Sequence, residues 1–144
     1  MQQSPALDAL HMQLSPPNWD ILAGHLQAFN MDSGQVLFER GAIDRTLFFV
    51  ESGTLSAHYE DKKSRLRMAM VGAGSVLGEG SFFSHEPRNA TVHASSACRI
   101  WTLAPARFAD LAARHSPIAL ELSQALGAVI AKRLYNRLKR PAVT

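Results

Sequence analysis

Residues 31–103 alternate between short strand-like runs and glycine turns, and this alternation constrains the fold more than any other feature of the sequence. The turns include DSG, RG, SG and GAG, which are typical chain-reversal signals. The runs are rich in β-branched and aromatic residues and read QVLFE, TLFFVES, TLSAHYE, RLRMAMV, SVLGE, ATVHAS and CRIWTL. Seven or eight short strands at regular spacing are typical of sandwiches and barrels. The sequence therefore predicts a small antiparallel β-barrel of the jelly-roll type.

Helical patterns flank this β-rich region on both sides. Three Ser-Pro pairs suit helix starts, with serine as the N-cap and proline in the first turn. They predict helices over ALDALHMQL, over PNWDILAGHLQAF and over a long segment from Pro117 to Arg140, and PARFADLAAR predicts another helix just before the last. The expected fold class is mainly β with flanking helices. We expect one domain over residues 1–144, with N-terminal helices in 1–30, the β-barrel in 31–103 and C-terminal helices in 105–140.

Composition favours a cytoplasmic globular protein with no membrane contact. No apolar run approaches the roughly 18 residues that span a bilayer, and the start MQQSPALDAL lacks the layout of a secretory signal. The single cysteine, Cys98, excludes an internal disulfide and a four-cysteine metal site within one chain. We expect Cys98 to be a small buried residue on a strand.

The last helix carries both the excess charge and an apolar stripe. Residues 1–131 hold ten Lys/Arg against all twelve Asp/Glu, whereas the last thirteen residues hold five basic residues and no acid. A solvated basic cap, favoured by the helix dipole, is the simplest interpretation, and a weak acidic partner or nucleic acid is the alternative. The apolar stripe repeats every four residues and predicts either core packing or helix-mediated dimerisation; it comprises Leu122, Leu126, Ile130, Leu134 and Leu138.

Two isolated charges stand in the run GEGSFFSHEPRNATVHA, residues 78–94. Glu79 follows a glycine, and Arg88 comes nine residues later among small and apolar neighbours. Burying either charge without a partner would be costly. The run therefore predicts that each charge meets either the other one or a ligand.

The segments VGAGSVLGEGSFF and RNATVHA, together with the glycine turns in order, make the chain resemble the cyclic nucleotide-binding domain superfamily. The resemblance covers nearly the whole length and is strongest to the sensor half of catabolite-activator-type bacterial regulators. It implies a phosphate-binding cassette over residues 78–90. There Arg88 would meet two phosphate oxygens in a fork, backbone N–H groups of a short helical turn would add donors, and Glu79 would accept the ribose 2′-hydroxyl. The implied ligand-binding residues are Gly78, Glu79, Gly80, Ser81, Phe82, Arg88, Asn89, Ala90 and, for stacking on the base, Tyr135.

Two departures from the family pattern refine this hypothesis. Asn89 stands where a threonine accompanies cyclic GMP in several members, which favours cyclic AMP over cyclic GMP. The sequence ends shortly after the long helix, so we expect no winged-helix DNA reader and no direct DNA binding.

The favoured prediction is therefore a regulatory sensor that is not an enzyme and needs no cofactor. It would signal to an unidentified protein partner through its C-terminal helix or a homodimer contact. The alternative is a degenerate member of the fold that dimerises or binds proteins without nucleotide. None of the six histidines lies two to four residues from another, and no nucleophile elbow or P-loop is present, so an enzyme or metal site is not predicted. Haem ligation through His85 or His93 is a third alternative.

Overall fold

The computed structural model describes residues 9–139, with side chains described through residue 134. Eight strands and four helices are present in that part of the chain. In chain order the elements are α1 (Pro16–Ala23), β1 (Gln27–Met31), β2 (Val36–Phe38), β3 (Leu47–Ser52), β4 (Leu55–Glu60), β5 (Leu66–Val71), β6 (Val76–Leu77), α2 (Glu79–Ser84), β7 (Thr91–Ala94), β8 (Cys98–Leu103), α3 (Pro105–Arg114) and α4 (Ser116–Lys139).

The strands form two antiparallel sheets of four strands each. One sheet has the order β1-β8-β3-β6 and the other β2-β7-β4-β5. Their inward side chains make one of two apolar clusters, in which Val50, Leu55, Val92, Cys98 and Ile100 are all buried. This arrangement confirms the predicted jelly roll and the predicted buried place of Cys98 on a strand.

The N-terminal region differs from the sequence prediction. Residues 9–15 are not helical, so the helix predicted over ALDALHMQL is wrong for residues 9–14, and its first residues lie outside the described part of the chain. Ser15 does cap α1 by accepting from the Asn18 amide, but that helix ends at Ala23, and β1 follows. The helical spacing of Trp19, Leu22, Leu26 and Phe29 had masked this strand.

The C-terminal helices match their predicted positions closely. The α3 helix covers PARFADLAAR in full, and α4 runs from Ser116 to Lys139, while Arg140 lies outside the described residues. None of the helices within residues 9–139 is both long enough and apolar enough to cross a membrane.

The apolar stripe of α4 divides between two environments. Leu122 and Leu126 are fully buried, with Val129 beside them, in the second apolar cluster. Ile130 and Leu134 are instead 38% and 55% exposed. Core packing therefore accounts for Leu122 and Leu126 and leaves Ile130 and Leu134 at the surface, while the side chain of Leu138 lies outside the described part of the chain.

Candidate functional site

The predicted cassette is built by a sharp turn between β6 and α2. Gly78 adopts a left-handed conformation, with φ of 82°, and its carbonyl accepts the amide of Phe82 at 3.0 Å. The amides of Glu79, Gly80 and Ser81 precede this first helical bond, so they have no acceptor within α2. The turn thus presents backbone donors next to the carboxylate of Glu79.

Arg88 is buried at the base of this turn, with only 3% of its surface exposed. Its Nη1 donates to the Gly78 carbonyl at 3.2 Å, and its Nη2 donates to the Thr46 carbonyl at 2.6 Å and to Asp44 Oδ2 at 2.9 Å. The guanidinium lies 4.4 Å from the centroid of the Phe38 ring. The guanidinium is therefore held firmly, and its carboxylate partner is Asp44 rather than Glu79.

Asp44 is the acceptor that fixes this guanidinium. The carboxylate also accepts the Thr46 amide at 3.0 Å, while its side chain stays 41% exposed. Burial opposes ionisation, but the hydrogen bonds from Arg88 and Thr46 outweigh it and lower the pKa of Asp44 below its usual 3.8. Asp44 is thus ionised at neutral pH and compensates the charge of Arg88.

Gly78 is required by its contact with Arg88. A Cβ at this position would lie 2.5 Å from Arg88 Nη1 and 2.8 Å from the Thr46 carbonyl oxygen. The left-handed φ adds a further cost for any other residue. The close packing of Arg88 against Gly78 therefore explains why the residue before Glu79 is a glycine.

Glu79 has a partner on a different element. Arg133 of α4 donates from Nη1 to Glu79 Oε1 at 2.6 Å and from Nη2 to the Val76 carbonyl at 2.6 Å. The Arg133 side chain is 24% exposed and that of Glu79 is 18% exposed. A basic residue of the expected solvated cap therefore lies against the cassette and ties α4 to it.

The remaining predicted residues fall into three groups. Phe82 is buried, packs edge-to-face on Phe108 at 5.1 Å and belongs to the cluster that holds α4, so its side chain anchors α2. Ser81 and Ala90 are also buried, whereas Gly80 and Asn89 are exposed. Tyr135 lies on α4, but its side chain is outside the described part of the chain.

Sequence reasoning missed Asp44 and the contact between Arg133 and Glu79. Asp44 lies in GAIDRTLFFV, and its partner is 44 residues away, so no local spacing links the two. Arg133 is 54 residues from Glu79, and in the sequence it is one of five basic residues at the end of the last helix. Only the folded barrel brings both pairs together.

Residues 29–115, more than half of the chain, match the family described as the cyclic nucleotide-binding domain. The chain belongs to this family, which confirms the resemblance given above. The cAMP-dependent protein kinase type II regulatory subunit of Drosophila melanogaster is 28% identical over 74 residues, which cover 51% of this chain and 20% of that protein. The chain spans about a quarter or less of the length of the curated relatives it matches.

Solved structures show the same fold. A cyclic nucleotide-binding domain from Methylobacillus flagellatus KT superposes with a TM-score of 0.82 at 20% identity, covering 92% of this chain and 80% of that one. The catabolite activator protein of Thermus thermophilus gives a TM-score of 0.74 at 24% identity, covering 86% and 57%. The two-sheet fold with its long C-terminal helix is therefore that of the family.

Proposed function

We propose that this domain senses a cyclic nucleotide, with cyclic AMP preferred, and reports its binding through α4. Arg88 would hold the cyclic phosphate, the first amides of α2 would add donors, and Glu79 would accept the ribose 2′-hydroxyl. Support comes from the contact between Arg88 and the Gly78 carbonyl, which brings the arginine next to the turn that carries Glu79 and the α2 amides.

The unused donors of Arg88 are the observation that carries this proposal. A guanidinium has five N–H donors, and the described contacts of Arg88 use three of them. Its Nε is buried and has no hydrogen-bond partner among the described residues. A buried unsatisfied donor costs about 1–3 kcal/mol. An acceptor from outside the chain, such as a phosphate oxygen, would remove that cost after a shift that opens Nε to the ligand, since the Arg88 side chain is 1% exposed.

Gly80 supports the same site from the backbone side. A Cβ at Gly80 would meet nothing within 4 Å, and its φ is not left-handed. Neither crowding nor backbone conformation within the described chain therefore calls for glycine here. A ligand that approaches the α2 amides closely supplies the missing reason.

The bond between Arg133 and Glu79 supplies a route for the signal. In the present conformation Arg133 occupies Oε1 of the carboxylate to which a ribose hydroxyl would donate. A bound nucleotide would therefore compete with Arg133 and release the end of α4 from the cassette. A ligand shifts a conformational equilibrium only through such a difference in contacts between the two states.

The preference for cyclic AMP rests on Asn89 and on one relative. Asn89 is exposed beside Arg88 and offers an amide rather than the hydroxyl associated with cyclic GMP in the family. The Drosophila relative is cAMP-dependent by name. Side-by-side titration with both nucleotides tests this preference directly.

We also propose that α4 forms a homodimer contact that a protein partner senses. Leu120, Ile130 and Leu134 are exposed on α4, and Gly127, exposed on the same helix, has open space where a Cβ would stand. The spacing from Leu120 to Gly127 and from Gly127 to Leu134 is seven residues each, which suits a coiled-coil seam.

A domain that binds no nucleotide is the second candidate, and one observation favours it. Arg88 and Glu79 each already have a partner of opposite charge, Asp44 and Arg133. Those contacts by themselves would satisfy the charges of the cassette. The fold would then serve dimerisation or protein binding only.

Calorimetry with cyclic AMP and cyclic GMP separates the two candidates. We expect Arg88→Ala to lose about 2–3 kcal/mol of binding, the scale of hydrogen bonds to charged groups, which is about 30- to 150-fold in Kd. Arg114→Ala is the matched control, because Arg114 also pairs with an aspartate, Asp110, but is 74% exposed on α3. Binding of neither nucleotide to the parent chain would establish the nucleotide-free candidate. Equal affinity in Arg88→Ala would refute the role of Arg88 and place the binding outside the cassette.

A further inference from the structure

A cavity lies between the N-terminal segment, α1 and the sheet β1-β8-β3-β6. Its volume is about 330 Å³, within the roughly 300–1,000 Å³ of small-molecule sites. Residues 9–14 cover it from one side, where the Leu10 amide donates to the Gly74 carbonyl at 3.2 Å. The α1 helix, β3 and β8 supply the other walls.

The walls of this cavity are mostly apolar and aromatic. Both tryptophans of the chain line it: Trp19 from α1, which is 44% exposed, and Trp101 from β8. Leucines from the N-terminal segment and α1, together with Phe49 of β3, contribute further apolar surface. No basic side chain is among the described lining residues, so a buried anion would find no cation there.

Ser75 is the polar side chain of the lining that lacks a partner. The Glu51 carboxylate accepts the indole N–H of Trp101 at 2.9 Å and also faces Arg99 Nε at 3.4 Å, so both lining groups are satisfied. Ser75 is 1% exposed, and its Oγ has no hydrogen-bond partner among the described residues. Buried hydroxyls almost always have one.

We propose that this cavity is a second ligand site, which takes an uncharged, apolar small molecule carrying one hydrogen-bonding oxygen. The apolar body would lie between the two indoles, and the oxygen would pair with the Ser75 hydroxyl after a rotation of that side chain towards the cavity, since its Oγ is closed to solvent as it stands. Amphipathic indole rings around a largely apolar space suit such a ligand. A fatty acid should bind more weakly than an alcohol with the same number of carbon atoms. Its carboxylate would meet Glu51, the one charged group described in the lining, which is also negative.

The cavity is separate from the cassette, although its residue Ser75 lies only three positions before Gly78 in the sequence. None of the residues proposed to hold a nucleotide lines the cavity. Ser75 comes directly before Val76, whose carbonyl accepts Arg133. Ligand binding in this cavity can therefore be tested without a nucleotide.

Tryptophan fluorescence of the full chain is the direct measurement, since both indoles line the cavity. The probes are 1-decanol and decanoate at equal concentrations below the solubility limit of the alcohol. We expect a saturable change in emission with 1-decanol and at least ten-fold weaker binding of decanoate. Absence of a saturable change, or equal binding of the two probes, overturns the proposal.

Three variants locate the binding. Ser75→Ala should weaken 1-decanol about five-fold, the effect of one net hydrogen bond, while melting at the same or a higher temperature because it removes an unsatisfied hydroxyl. Ala23→Phe adds a ring at an exposed lining position and should abolish the saturable change. Asp20→Phe, on the same helix but not in the lining, is the control and should bind normally. Unaltered binding in Ala23→Phe, or in Ser75→Ala, overturns the proposal.

Discussion

Replacing Arg133 with alanine should tighten the binding of cyclic AMP. If Arg133 and the ribose compete for Glu79, the parent chain must break the contact between Arg133 Nη1 and Glu79 Oε1, which is 2.6 Å long, before the ribose can bind. The variant has no such contact to break. Lys132→Ala is the matched control, because it removes an exposed positive charge from the adjacent position of α4.

The expected size of this effect follows from the burial of the pair. A hydrogen bond between charged groups is worth about 1.5–3 kcal/mol, and an exposed ion pair about 0.2–1 kcal/mol. With 18% and 24% of the two side chains exposed, the pair lies between these cases, and solvent screening brings our estimate to about 1 kcal/mol. That corresponds to about five-fold in Kd. The loss of the bond to the Val76 carbonyl acts in the same direction.

Isothermal titration calorimetry of the parent, Arg133→Ala and Lys132→Ala with cyclic AMP gives the three Kd values. Adding Glu79→Gln and the Glu79→Gln/Arg133→Ala double variant closes a thermodynamic cycle, which isolates the coupling between the two residues. An unchanged Kd in Arg133→Ala would refute the competition. A weaker Kd would reverse its sense and make Arg133 a residue that holds the nucleotide.

Three other expectations can be checked with the same protein. Gly78→Ala should lower the melting temperature by several degrees, since its Cβ would lie 2.5 Å from Arg88 Nη1, whereas Gly80→Ala should keep it; equal melting of the two would contradict the packing argument. Leu134→Glu should shift a dimer towards monomer in analytical ultracentrifugation, because a charge on the proposed seam would be desolvated; an unchanged mass would exclude that seam. Hydrogen bonds in the β4–β5 hairpin, led by the one from the Arg65 amide, lower the pKa of Asp61 from 3.8 to about 2. The stabilisation from ionised Asp61 is therefore present above about pH 4 and is lost as the pH falls towards 2. The difference in melting temperature between the parent and Asp61→Ala should shrink over that range.

The barrel could be predicted from sequence because its signals are local. Each predicted run in residues 31–103 contains one of the strands β2 to β8, bounded by turns that glycine or polar residues mark. The strand β1 was missed for an equally local reason, since Leu26 and Phe29 continue the helical spacing that begins at Trp19. Local patterns thus predict most elements but fail where one pattern runs across an element boundary.

The polar contacts of the site could be predicted only in part. The sequence singled out Arg88 and Glu79 and predicted that each would meet the other or a ligand. The structure does not pair them with each other. Their described partners, Asp44 and Arg133, come from a distant loop and from α4. These pairings depend on how the loop before β3 and the last helix pack around β6. No residue spacing in a single sequence encodes that packing.

The place of Phe82 has a consequence for how the domain responds to ionic strength. Its ring shares one apolar cluster with Leu122 and Leu126, so α2 and α4 are joined by hydrocarbon as well as by the Glu79–Arg133 ion pair. Concentrated salt weakens the ion pair, though less than it would weaken an exposed pair because both side chains are mostly buried, and it leaves the apolar contact intact. The coupling between the cassette and the last helix should therefore persist in high salt. The decrease in the coupling free energy on adding salt would measure the contribution of the ion pair.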